Sequence, residues 1–197
     1  MSDSAQAGEA PWVYSDPASH RFQVNRSTLL DPEILKLERR RVFDVCWIYV
    51  GHESEVKAPG DFKTRSVCER PVIFARDSKN AVRVFLNSCR HRGAMVCREA
   101  EGNAKLYQCF YHGWSYNRDG ELDGVPGESA YPPGFDKSRY PLAEAPRVEA
   151  YRGFVFINFD RNAVPLADYL GGAKEYIDLV VDQSPSGAPG SRGPAAR

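Results

Sequence analysis

From residue 47 onward the apolar residues come in short runs rather than helical stripes. WIYVGH (47–52), FKTRSV (62–67), PVIFAR (71–76), AVRVFL (81–86), KLYQCF (105–110) and GFVFINF (153–159) are each rich in Val, Ile, Phe and Tyr. Pro59-Gly60, Ser78-Lys79-Asn80, Gly102-Asn103 and Asp119-Gly120 fall between them. β-Branched and aromatic side chains suit a half-buried pleated surface, and Gly, Pro, Asn and Asp supply turns. The pattern predicts a mainly β, antiparallel domain over residues 47–160. Helical wording flanks it. Asp31-Pro32-Glu33 offers a capping side chain, a proline for the first helical position and an acid facing the helix dipole. Ile34, Leu35, Val42, Phe43 and Cys46 then make an irregular stripe, so residues 31–46 are read as a helix. Its basic triplet Arg39 to Arg41 is most simply a solvated face, docking of an acidic redox partner being the sharper alternative. A C-terminal helical segment is expected within 161–183, interrupted at Gly171-Gly172.

The remaining stretches read as connections. Residues 1–30 form an arm that packs through Trp12 and Tyr14, and residues 123–147, with five prolines and three glycines, form a long surface connection. Residues 184–197, SPSGAPGSRGPAAR, are too poor in large apolar groups to support a core and read as a disordered tail.

Composition narrows the function. The chain has 197 residues, 42% of them hydrophobic, enough for one core with flanks and too few for a large two-domain enzyme. Lys plus Arg and Asp plus Glu are both 26, so no general electrostatic footprint for nucleic acid or an anionic membrane exists. The longest apolar run, 45–50, is far below the roughly 18 residues of a membrane span, and the polar start lacks a signal-peptide core. A cytoplasmic protein is expected. An odd number of cysteines, Cys46, Cys68, Cys89, Cys97 and Cys109, favours thiol or metal chemistry over a disulfide framework.

Two groups carry that chemistry: Cys89-Arg90-His91-Arg92-Gly93 and Cys109-Phe110-Tyr111-His112-Gly113-Trp114, separated by seventeen residues between His91 and Cys109. Each offers one thiolate and one imidazole in a tight loop after an expected strand. Two such loops facing each other deliver two sulfurs and two nitrogens to one site, as a Rieske [2Fe–2S] centre requires. A structural Cys2His2 zinc site and plain coincidence are the competing readings. The zinc finger pattern is poorly met, because its histidines lie three to five residues apart on one helix. Gly93 and Gly113 follow the ligand groups and are expected to let the backbone turn and present N–H donors to bridging sulfides. Two ferric ions, two sulfides, two thiolates and two neutral imidazoles sum to zero charge, so such a centre accepts an electron more readily than an all-cysteine cluster: about −150 to +300 mV against about −400 mV. The free nitrogen of each imidazole couples proton uptake to that electron. Cys46, Cys68 and Cys97 are expected to be buried small hydrophobes, and Phe110, Tyr111 and Tyr116 shielding or core groups.

From about Phe22 to Asp182 the chain resembles the N-terminal part of the α subunit of aromatic-ring-hydroxylating (Rieske non-haem iron) dioxygenases. The resemblance rests on the wording around Trp47 to Val56, Pro59 to Phe62, Asn87 to Ala94, Gly102-Asn103 and Tyr111 to Tyr116. It implies that Cys89 and Cys109 hold one iron and His91 and His112 the other, with Arg92, Gly93, Gly113 and Trp114 shielding the cluster. Phe110 departs from the pattern, since many members have proline there. The high-potential respiratory Rieske proteins resemble it less: Ala94 and Tyr111 stand where those have an extra cysteine pair, and Trp114 replaces a serine donor. A low potential within the range follows. The resemblance further implies electrons from NAD(P)H through a reductase, often via a ferredoxin, and assembly as trimers with or without β subunits.

In that family a C-terminal domain holds a mononuclear Fe(II) on two histidines and a carboxylate. Besides His91 and His112 this sequence has only His20 and His52, thirty-two residues apart. The chain alone is therefore not expected to hydroxylate a ring. A truncated or frameshifted α subunit is the expectation, its histidines more exposed and its cluster more labile than in an intact enzyme; a stand-alone short Rieske protein is the alternative.

Overall fold

The computed structural model describes residues 12–183, so the expectations for residues 1–11 and for the 184–197 tail lie outside the described residues. The described residues fall into two compact units, divided between Asp44 and Val45.

In the first unit the expected extended arm contains an antiparallel hairpin of β1 (Val13–Asp16) and β2 (Arg21–Val24). Its turn is fixed by the Asp16 carboxylate, which accepts from Ala18 N–H and the Ser19 hydroxyl. After a single helical turn, α1 (Ser27–Leu30), comes α2 (Pro32–Glu38), whose Asp31 cap accepts from Glu33 N–H at 2.8 Å. The α geometry ends at Glu38 rather than 46, passing into a π-helical turn at Arg39–Phe43.

The second unit is mainly β. β4 (Asp61–Val67), β5 (Arg70–Arg76), β6 (Val82–Leu86) and β7 (Glu101–Asn103) form an antiparallel sheet in the order β6-β5-β4-β7. β3 (Ile48–His52) joins β11 (Arg147–Tyr151) and β12 (Phe154–Asn158) in the order β11-β12-β3. A smaller sheet is made by β8 (Leu106–Gln108), β9 (Ser115–Asn117) and β10 (Leu122–Gly124), in the order β10-β9-β8. α3 (Leu166–Leu170) and α4 (Ala173–Asp182) follow, broken at Gly171-Gly172 as the sequence predicts.

The four-stranded sheet explains why PVIFA is a continuous apolar run. Successive side chains of a strand point to opposite faces, and β5 is buried on both. Val72 and Phe74, with Val67 and Val84, join Val50, Val155 and Ile157 in one core. Ile73 and Ala75, with Phe62 and Phe85, join Cys89, Cys109, Trp114 and Tyr116 in the other. Each buried Ile or Phe contributes about 1.5–3 kcal/mol, so β5 is the common wall between a supporting core and the core under the two cysteine loops.

Two sequence expectations are corrected here. Gly102-Asn103 does not separate strands but lies within β7, paired with Phe62 and Asp61. Residues 123–147 are not merely a surface connection: Leu142 and Ala145 are buried, and Tyr131, Phe135 and Tyr140 pack on the cysteine-bearing core. The prolines there shape a covering rather than an excursion.

Candidate metal centre

The two loops are built alike. In the first, Cys89 N–H donates to Ala94 C=O (2.8 Å) and Gly93 N–H donates to Cys89 C=O (2.8 Å). In the second, Cys109 N–H donates to Trp114 C=O (2.8 Å) and Gly113 N–H donates to Cys109 C=O (2.9 Å). Both glycines have φ +73°, a left-handed conformation that costs other L-residues about 1–2 kcal/mol. A Cβ on Gly113 would also lie 2.8 Å from Pro126 Cγ, whereas one on Gly93 meets nothing nearer than 3.9 Å. The glycine N–H groups themselves close the loops.

This scaffold brings the four predicted side chains together in two pairs. Cys89 and Cys109 are buried, and the Cys89 thiol touches that of Cys109. The His91 and His112 rings lie 4.7 Å apart and are half-buried. Burial, first of all, and then the charges of His112 and Arg92 hold His91 below its ordinary pKa, keeping the imidazole neutral as a metal ligand must be. Burial pushes the Cys109 thiol up, while backbone N–H groups of Tyr111 and His112 favour its thiolate.

Trp114 is buried and stacks on the His91 ring, centroids 4.9 Å apart and planes 9° apart. Its indole N–H donates to Tyr131 at 3.3 Å, and Tyr140 packs edge-on at 5.7 Å. A groove of about 420 Å³ opens beside them, between His91 and the 131–140 segment. Arg92 is exposed and acts on His91 through charge alone. Phe110 and Tyr111 are 63% and 56% exposed, so their expected core role is corrected. Tyr116 is in the core but does more than pack. Its hydroxyl lies 3.2 Å from Cys89 Sγ and accepts from Arg90 N–H at 2.9 Å. Sequence reasoning missed this contact, placing Tyr116 only among the shielding or core groups.

Of the remaining cysteines only Cys97 is buried; Cys46 and Cys68 are half-buried. His52 serves structure: Nδ1 lies 2.8 Å from the Ser54 hydroxyl, Nε2 3.2 Å from Arg152 C=O, and its ring packs edge-on to Phe154.

The fit to a binuclear cluster can be tested on the chain itself. His91 Nδ1 is buried with no hydrogen-bond partner, an orphan that a metal ion would satisfy. A structural zinc ion needs all its ligands converging at about 2.0–2.3 Å, yet among the described residues no three His, Cys, Asp or Glu converge on one point. Two irons bridged by sulfides ask each pair to hold only its own ion.

The Rieske [2Fe–2S] domain family matches residues 46–148. The chain belongs to that family. This Rieske chain is 40% identical to the benzene 1,2-dioxygenase α subunit of Pseudomonas putida, over 85% of its own length and 37% of the relative's. It is 40% identical to the biphenyl dioxygenase α subunit of Paraburkholderia xenovorans, covering 92% and 43% respectively. Among solved structures it matches naphthalene 1,2-dioxygenase from Rhodococcus sp. with a TM-score of 0.78 at 41% identity, over 83% of this chain and 37% of that one. A quaternary ammonium Rieske monooxygenase matches with a TM-score of 0.71 at 31% identity. The chain thus spans about two fifths of the length of these curated relatives. Among the described residues no helix is long and apolar enough to cross a membrane.

Proposed function

We propose that this chain is the electron-transfer module of an aromatic-ring-hydroxylating oxygenase, with Cys89 and Cys109 holding one iron of its [2Fe–2S] cluster and His91 and His112 the other. The observation that carries this reading is the pairing itself, thiol with thiol in the core and imidazole with imidazole toward the surface, around the orphaned His91 Nδ1. When bound, the cluster supplies a one-electron store. The chain's residues do the rest. The loop backbones fix the ligand geometry, Tyr116 donates to the Cys89 sulfur, Trp114 orients the His91 ring, and Tyr131, Phe135 and Tyr140 pack against Trp114. The free nitrogens of His91 and His112 take up the proton that accompanies the electron.

By the same reading, electrons arrive from a ferredoxin or an NAD(P)H-dependent reductase in the cytoplasm, and the complete assembly is a trimer of α with or without β subunits. Ring hydroxylation belongs to that assembly, at a mononuclear iron. Residues 47–160 form the cluster domain and 161–183 its helical extension.

Anaerobic reconstitution with iron and sulfide tests the reading. The expected product is brown, holds two irons and two sulfides per chain, and gives a Rieske-type EPR signal after reduction. A colourless protein with one zinc per chain would sink it.

A further inference from the structure

We propose that Asn87 is the positioning residue of the first cysteine loop: its side-chain amide stands in for the strand pairing that this loop lacks, and so sets Cys89 and His91 against the second loop. This rests on the reading of the four side chains as cluster ligands, and adds what holds two of them in place.

The two loops differ outside their matching rings. The second is the turn of a hairpin: β8 leads in and β9 leads out, and their pairing runs from Gln108 with Ser115 through Tyr107 with Tyr116 to Leu106 with Asn117. The first has no such base. β6 leads in and ends at Leu86, but the chain leaving the loop next enters β7, which lies at the far edge of the sheet beyond β5 and β4. With no ladder beneath it, a loop carrying a thiol and an imidazole opens easily unless another group ties its two ends. The Ser88 hydroxyl is no such tie, since its 3.3 Å contact with Gly93 C=O stays beside the ring.

Asn87 supplies the tie. It sits between β6 and the loop, is 2% exposed, and its backbone N–H donates to Pro71 C=O at 2.8 Å, which fixes it to β5. From there its side chain crosses the base of the loop. Oδ1 accepts from the Val96 and Cys97 N–H groups at 3.0 and 2.8 Å, and Nδ2 donates to Cys97 C=O at 2.7 Å. A side-chain amide has the donor and the acceptor of a peptide group, so it can bond a neighbouring backbone as a strand does. Two N–H groups facing one end and a carbonyl facing the other allow the amide only this orientation. The far end of the clamp is itself anchored. Val96 and Cys97 are buried in the core that holds Cys89 and Trp114. The residues after them are bound to β4 through Thr64, whose N–H donates to Ala100 C=O at 2.8 Å and whose hydroxyl donates to Glu99 C=O at 2.9 Å. A buried amide with both ends used is costly to replace, because each lost bond strands a backbone group away from water.

The test compares the reconstituted parent with N87L, which keeps the shape and removes all three side-chain bonds, and N87D, which keeps the two acceptor bonds and sets a carboxylate oxygen against Cys97 C=O. Iron release to the chelator ferrozine is expected to be tenfold or more faster in N87L and threefold or more faster in N87D. Pulsed EPR of the reduced protein reads a nitrogen coupling from each bound histidine. In both variants one coupling is expected to shift and the other to stay as in the parent, because only the first loop loses its tie. In the parent, hydrogen exchange at the Val96 and Cys97 amides is expected to be a hundredfold or more slower than in an unstructured chain. Parent-like release in a folded variant overturns the role of Asn87. So do couplings unchanged beside a lower melting temperature, which is a contribution to stability alone, and equal shifts of both couplings, which place the effect outside the first loop. Unprotected exchange at Val96 and Cys97 overturns it without requiring any variant to fold. A parent lacking the Rieske signal overturns the cluster reading and this role with it, whereas an intact signal with any of the other results overturns the role of Asn87 alone.

Discussion

Replacing Tyr116 by Phe removes one hydroxyl from a fully buried ring that otherwise keeps its packing. Because that hydroxyl accepts from Arg90 N–H, its own proton is directed to Cys89 Sγ, 3.2 Å away. A metal-bound thiolate has no proton to give, so in the holoprotein Tyr116 is the donor. Reduction adds negative charge to the centre, and a donor to its sulfur is worth more in the reduced state. A hydrogen bond to a charged acceptor contributes about 1.5–3 kcal/mol. Taking half of that as the gain on reduction, and 59 mV per roughly 1.4 kcal/mol for one electron, Y116F lowers the potential by about 30–60 mV. The substitution also strands Arg90 N–H, at about 1–3 kcal/mol of stability. Redox titration followed by EPR or circular dichroism reads the shift directly. An intact Rieske signal with a potential unchanged to about 10 mV would refute the assignment of Tyr116 as donor.

The remaining predictions concern the loops and the thiols. G113A should lose more cluster, and more thermal stability, than G93A, because only Gly113 adds a 2.8 Å approach to Pro126 to the shared φ of +73°; equal losses by iron assay and melting would show that backbone conformation alone decides. C109S should abolish the Rieske EPR signal while circular dichroism of the sheets survives, since the β3–β5–β12 core stands apart from the ligand; a retained signal would remove Cys109 from the ligand set. Burial, then Glu99, pushes the Cys97 thiol up to about 11. At neutral pH it is protonated and should resist alkylation in the native state. Its folded value is raised, so its contribution to stability is complete below about pH 9 and is lost as pH climbs toward 11. Denaturant unfolding across that window should show a slope that C97A reduces, and an unchanged slope would locate the titration elsewhere.

How far the fold was legible depends on where each residue's partners lie. Strands buried on one or both faces, such as β5 and β12, announce themselves because β-branched and aromatic runs have few other uses. β7, β9 and β10 are three residues long and their spacing is set by the loops between them; too short to show a period, they hide behind Gly102-Asn103 and the second cysteine motif, whereas the equally short β8 shows in the run KLYQCF. The hairpin at residues 13–24 was invisible for another reason: nearly all of it is exposed, Phe22 by 69%, so no alternation marks a buried face. The four candidate ligands were legible because metal chemistry needs particular atoms at particular spacings. What the glycines do with their N–H groups, and which hydroxyl reaches the Cys89 sulfur, follow from loop closure in three dimensions and leave little trace in local pattern.

The matching closure of the two loops bears on substitution as well as shape. Each Cys–Gly segment is a backbone ring sealed by its own hydrogen bonds at 2.8–2.9 Å, so the two loops present their cysteine and histidine positions from the same backbone form. A substitution that opens one ring therefore disturbs one thiol and one imidazole together, and leaves the backbone of the other ring closed.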